Sequence, residues 1–140
     1  MKIAHLLVLP WSVSLLLLGA CAAKAPPPVR YDAPLGGEFS AAPGKPMRLD
    51  GISIEFTKVV EDSRCPKNVT CVWQGAATVA LTALVGTNPR EFTLSTSPAT
   101  AASTGIEGFR IELLDLAPYP DATVRRASMD YSVKLRVTRE

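Results

Sequence analysis

The amino-acid sequence predicts an all-β domain, a small antiparallel β-sandwich or partly open barrel of six to seven short strands. Two stretches carry a clear period of two. Ile52, Ile54 and Phe56 alternate with Ser53, Glu55 and Thr57, and near the C-terminus Tyr131, Val133, Leu135 and Val137 alternate with Ser132, Lys134, Arg136 and Thr138. Turn-forming groups rich in Gly, Pro, Asn and Asp recur about every ten residues, and no stretch keeps a helical period.

Length and composition set the bounds. A chain of 140 residues, 47% hydrophobic and 20% charged, fits one globular domain. Its formal net charge is +2, and without residues 1–20 the balance is 14 basic to 13 acidic side chains. No block of like charge stands out, which argues against nucleic acid or an anionic surface as partner.

Residues 1–20 read as a signal peptide. Lys2 gives a positive start, and residues 6–18 form an apolar run interrupted by Pro10. The run is shorter than the about 20 residues a membrane span needs. It ends in Leu18-Gly19-Ala20-Cys21, a pattern that resembles the bacterial lipobox. There the small residues let a peptidase take the chain as an extended strand, and the cysteine thiol carries a diacylglyceryl group. Cys21 is therefore the expected lipidation site and the lipid bilayer an expected partner. Each buried methylene contributes about 0.8 kcal/mol, so two or three acyl chains give lasting attachment. Ala22 follows the cysteine where an aspartate would signal inner-membrane retention. The expected location is the cell envelope, and in a Gram-negative cell the outer membrane, facing the periplasm.

Residues 21–46 read as the lipidated cysteine followed by a Pro/Gly-rich tether, with six prolines and three glycines. Such a segment has few groups to bury. Phe39 is its one candidate for a docking contact with the domain.

The β-domain is expected over 47–140. Asp50-Gly51 reads as a two-residue hairpin turn between Met47–Leu49 and the strand beginning at Ile52. Alternation fails at Lys58-Val59-Val60, which predicts a bulge. From Ala77 to Val85 both faces are apolar or small, so that strand is expected to be covered on both sides. Gly86-Thr87-Asn88-Pro89 is a turn, Phe92 and Leu94 continue the sheet, and residues 95–104 read as a long surface loop. Phe109, Ile111 and Leu113 form another strand, stopped by Pro118-Tyr119-Pro120.

The stretch around which these strands are arranged is Asp62-Ser63-Arg64-Cys65-Pro66-Lys67-Asn68-Val69-Thr70-Cys71-Val72-Trp73-Gln74-Gly75. With Cys21 acylated, Cys65 and Cys71 remain, and in an oxidising compartment they are expected to form a disulfide. A ring this small stabilises the fold by about 2–2.5 kcal/mol on the chain-entropy model. The spacing is not Cys-x-x-Cys, and the single histidine, His5, lies in the signal segment, so neither redox chemistry, a metal nor a cofactor is expected. Trp73 either covers the bridge or stands exposed as a ligand platform. Arg64 lies two residues from Asp62, so in an extended segment they share a side of the chain. Arg64 either pairs with Asp62 or bonds carbonyls that the loop leaves without partners.

The Asp62-Ser63-Arg64-Cys65-Pro66 run, then Cys71, Trp73 and Gly75, and the closing Asp130-Tyr131-Ser132-Val133-Lys134-Leu135-Arg136-Val137, resemble a family of small exported bacterial proteins and lipoproteins to which no activity is assigned. Gln74 departs from the alanine usual there. The resemblance implies the bridge and the β fold and supplies no catalytic residue.

An enzyme is not expected, because without His5 the chain has no imidazole for general acid–base work. Three roles remain: a module recognising an envelope protein or glycan, an inhibitor of an envelope hydrolase that presents Arg64, and a structural component. Asp62, Arg64, Lys67, Asn68, Trp73 and Gln74 are the candidate interaction residues of the 61–75 loop. The lipobox yields the first test. Cys21→Ser should release the protein from membrane fractions, and continued sedimentation with membranes would rule out the acyl anchor.

Overall fold

A computed structural model describes residues 32–97, 101–126 and 129–140. The signal peptide, Cys21 and the first part of the tether lie outside the described residues. Eight strands form two four-stranded antiparallel sheets, a sandwich with no closed barrel: β1 (Glu38–Ala41), β2 (Pro46–Leu49), β3 (Ile52–Asp62), β4 (Ala77–Val85), β5 (Asn88–Ser95), β6 (Ser103–Ile106), β7 (Phe109–Ala117) and β8 (Ser132–Arg139). One sheet runs β1-β8-β7-β6 and the other β2-β3-β4-β5.

The expected alternation builds the core. Ile54, Phe56, Val79, Leu81, Ala83 and Leu94 from one sheet meet Ile111, Leu116, Val133, Leu135 and Val137 from the other, all essentially without solvent exposure. Asp50-Gly51 closes the β2–β3 hairpin, with Leu49 opposite Ile52. The bulge expected near Lys58 is present as two register shifts, between Phe56 and Lys58 and between Val59 and Glu61. A further shift between Leu113 and Asp115 in β7 was not foreseen. It breaks strict alternation, so Leu116 points inward where Asp115 would have done.

Three expectations are corrected. The tether does not extend to residue 46. Phe39 and Ala41 are buried, β1 pairs with β8 from Glu38 opposite Arg136 to Ala41 opposite Val133, and the Asp32 amide donates to the Arg48 carbonyl at 2.8 Å. Two alternating apolar side chains and an open edge on β8 outweigh the proline content. The 95–104 loop is shorter than expected, because Ser103–Ile106 pairs with β7 through the two-residue turn Glu107-Gly108. Both turn residues have positive φ, 48° and 83°, a conformation that Gly adopts freely and Glu rarely, which hid the hairpin. The outer face of β4 is only partly covered: Thr78, Ala80 and Thr82 are half-buried and Leu84 is exposed.

The β1 correction is testable. Phe39→Ala should lower the unfolding free energy by about 3 kcal/mol in urea denaturation. An unchanged midpoint would return residues 38–41 to the tether.

Candidate functional site

The 61–75 loop connects β3 to β4 across one end of the sandwich, and its base continues their ladder. The Ser63 amide donates to the Ala76 carbonyl and the Cys65 amide to the Gln74 carbonyl, both at 2.8 Å. Gly75 fits this close approach because it has no side chain. Its φ is +66°, and a Cβ would stand 1.9 Å from the Ser63 carbonyl oxygen. The Cys65–Cys71 disulfide closes the loop above this base, with Cα atoms 5.9 Å apart.

Beneath the loop lies a buried ionic cluster. Arg64 Nε donates to Asp62 Oδ1 and Nη2 donates to Asp62 Oδ2, each at 2.9 Å. The remaining donors cross to the other sheet: Nη1 to the Leu116 carbonyl at 2.6 Å and Nη2 to the Pro118 carbonyl at 3.1 Å. The guanidinium also lies 5.1 Å from the centre of the Tyr119 ring. Asp62 accepts a further bond from the Tyr131 hydroxyl at 2.9 Å. Arg126 bonds the Asp62 carbonyl, donates to the Arg64 carbonyl at 3.1 Å and lies 3.3 Å from Asp62 Oδ1. The two sequence readings of Arg64 are thus both satisfied by one side chain, since five donors in a planar fork serve a carboxylate and two carbonyls together. Arg64 is 5% exposed, so it is not presented to a partner.

Burial alone would raise the Asp62 carboxyl. The bonds from Arg64 and Tyr131 outweigh it and hold the group below the usual carboxylate range. Burial and the adjoining Asp62 charge both push the Tyr131 phenol up.

Lys67 and Asn68 belong to a second, exposed cluster. Thr123 donates its amide and hydroxyl to Asp121 Oδ1 at 2.9 and 2.7 Å, and Lys67 Nζ lies 3.4 Å from Asp121 Oδ2. Thr123 above all, with smaller contributions from Lys67 and Asn68, lowers the Asp121 carboxyl to about 2. The Lys67 amide also donates to the Pro120 carbonyl at 3.1 Å. These contacts tie the first half of the loop to the segment that follows β7.

The second half stands in solvent. Val72 is 95% and Trp73 80% exposed, with Val69 and Tyr119 each about half exposed and Gln74 exposed beside them. Trp73 as cover for the bridge is therefore corrected: the indole projects away from the protein. A shallow cleft of about 560 Å³ runs along the disulfide, with Lys67, Val69, Trp73, Gln74 and Tyr119 among its walls. A second of about 550 Å³ opens beside it, lined by Gln74, Thr96, Ser97, Asp115 and Tyr119 with Arg64 beneath. A third cleft, of about 730 Å³, lies between the outer half of β3 and residues 129–132, with Asp62 and Tyr131 in its wall.

Of the six loop residues singled out by sequence, Asp62 and Arg64 fall inside the protein, Lys67 and Asn68 brace the loop, and Trp73 and Gln74 face solvent. Val72, Tyr119, Asp121, Arg126 and Tyr131 were missed. Their one sequence signal is Tyr119 between two prolines, a turn that sets an aromatic at the surface. Among the described residues no group of three His, Cys, Asp or Glu side chains is placed to hold a metal ion. Comparison of the chain with protein-family models, with curated proteins and with solved structures yields no match.

The buried pair makes a quantitative expectation. Lysine offers no bidentate fork, so Arg64→Lys should cost about 2–3 kcal/mol of stability. Asp62 has a lowered pKa when folded, so the pair's contribution is complete above about pH 4 and is lost as pH falls through the lowered value. The gap between wild type and variant, read from urea midpoints, should narrow below about pH 4. A gap that stays constant with pH would remove the Asp62–Arg64 pair as its cause.

Proposed function

We propose that the chain is a non-catalytic recognition domain of the bacterial envelope, anchored through acylated Cys21, that binds an envelope protein or glycan with the tip of the 61–75 loop. The observation that carries this reading is the pair Val72-Trp73, both more than three-quarters exposed on a loop whose base is fixed. Each Å² of apolar surface removed from water contributes about 25 cal/mol, and a tryptophan offers one of the largest such areas. The fold makes no use of it. A partner that covers it gains that contribution and orders little, because the disulfide, Gly75 and the Asp121 bonds already hold the loop.

The perturbed acids support a non-catalytic role. Asp62 is lowered, and Asp121 is lowered to about 2, so both are kept ionised rather than poised near neutral pH. An inhibitor presenting Arg64 is not supported by a guanidinium that bonds inward to Asp62, Leu116 and Pro118. A purely structural component leaves the exposure of Trp73 without a reason.

In-cell photo-crosslinking from positions 69, 72 and 74, set against exposed position 88 at the β4–β5 turn, at the far end of β4 from the loop, is the test. A specific adduct confined to the tip, weakened about tenfold by Trp73→Ala, is expected. Equal adducts from all four positions, or none, would turn the reading toward a passive structural role.

A further inference from the structure

We propose that the two clefts meeting at Gln74 and Tyr119 form a carbohydrate subsite for a neutral pyranose glycan, with sugar rings stacked on Trp73 and Tyr119. The proposal rests on the recognition reading above and assigns its ligand class.

Gln74 and Tyr119 line both clefts, while Trp73 stands on one side and Asp115, Thr96 and Ser97 on the other. The joined surface thus presents two aromatic rings, an amide and a carboxylate. A pyranose is built to the same plan. Its axial C–H bonds form an apolar face with a slight positive charge, which suits the negative face of an aromatic ring. Its hydroxyls lie around the rim, where the Gln74 amide and the Asp115 carboxylate supply donor and acceptors.

Tyr119 is prepared for this role. Arg64 stands over its ring at 5.1 Å, and Arg64 is itself held by four side-chain hydrogen bonds. With 45% of Tyr119 exposed, the ring is held before a ligand arrives.

Charge narrows the class. Arg64 is neutralised by Asp62, and Lys67 faces Asp121 at 3.4 Å, so neither cleft offers a cation without a partner to draw an anionic polymer. Polarity separates sugar from protein. An apolar protein surface laid over Trp73 and Tyr119 would strip water from Gln74 and Asp115 without replacing their hydrogen bonds, whereas hydroxyls replace them.

The test uses the full chain purified in detergent. Retention is measured on chitin, cellulose and protein-free cell-wall sacculi, and the matching soluble hexasaccharide is titrated by tryptophan fluorescence. Saturable retention on at least one polymer is expected, with a fluorescence change that disappears in Trp73→Ala. Trp73→Ala should weaken binding about tenfold, as loss of one stacked ring implies. Gln74→Ala should weaken it severalfold, and Val60→Ala, an exposed residue outside the lining of both clefts, should leave it unchanged. Tyr119→Ala also removes a partner of Arg64, so it is compared with Tyr119→Phe, which keeps the ring and should keep binding. Retention unaltered by both Trp73→Ala and Gln74→Ala would overturn the proposal. So would no retention on any polymer. In that case a protein adduct at the tip would leave the recognition reading standing, and its absence would remove both.

Discussion

Asp62 and Arg64 close the end of the sandwich, and the arrangement of everything near the loop depends on them. The pair begins on β3 in one sheet, yet its bonds end on Leu116 and Pro118, where β7 leaves the other sheet, and on Tyr131, where β8 enters it. Burying two charges costs several kcal/mol per ion unless excellent geometry and further hydrogen bonds offset it. Here the carboxylate accepts a bidentate fork and a phenol, the guanidinium reaches two carbonyls, and no buried side-chain nitrogen or oxygen among the described residues lacks a partner. Removing one member would leave the other charged, buried and only partly bonded. That asymmetry makes the pair a fixed point between sheets that hydrophobic contact alone would leave free to shift.

The loop above it divides the work between layers. Two cross-strand hydrogen bonds and Gly75 fix the base, the disulfide fixes the ring, and the Asp121 cluster fixes the flank. The disulfide spans six positions, so its constraint is local and does not join the sheets. The polar joining of the sheets belongs to Asp62 and Arg64 together, and shape at the tip belongs to the bridge. The same guanidinium that closes the fold also holds Tyr119, so stability and the shape of the surface are linked through one side chain.

What was legible in the sequence follows the range of the interactions concerned. The β2–β3 hairpin, the bulge near Lys58, the inward set of β8 and the Cys65–Cys71 bridge are local patterns, and each is found. Strand β1 was hidden because its four residues sit among prolines and glycines, and only the open edge of β8 makes them a strand. Strand β6 was hidden because Glu107 is a poor advertisement for a left-handed turn. The bulge in β7 shifts Leu116 inward, so the carbonyl that receives Arg64 was not identifiable from alternation. Asp62, two residues from Arg64, was foreseen as a partner. Leu116, Pro118 and Tyr131 are separated from the pair by more than fifty residues, and only the folded topology brings them there.

The division also determines how the surface of the tip and the stability of the fold can vary. Trp73 and Val72 make little contact with the body of the protein, so changes there alter what the tip presents at small cost to the fold. Asp62, Arg64 and Gly75 cannot vary in that way, since each satisfies a backbone or charge requirement that no other side chain meets in the same place. The arrangement is a tip that can change over a base that cannot. It also explains why the most distinctive residues in the sequence are split between the interior and the tip. The Asp-Ser-Arg-Cys run specifies how the loop is held, and Val72-Trp73-Gln74 specifies what it offers.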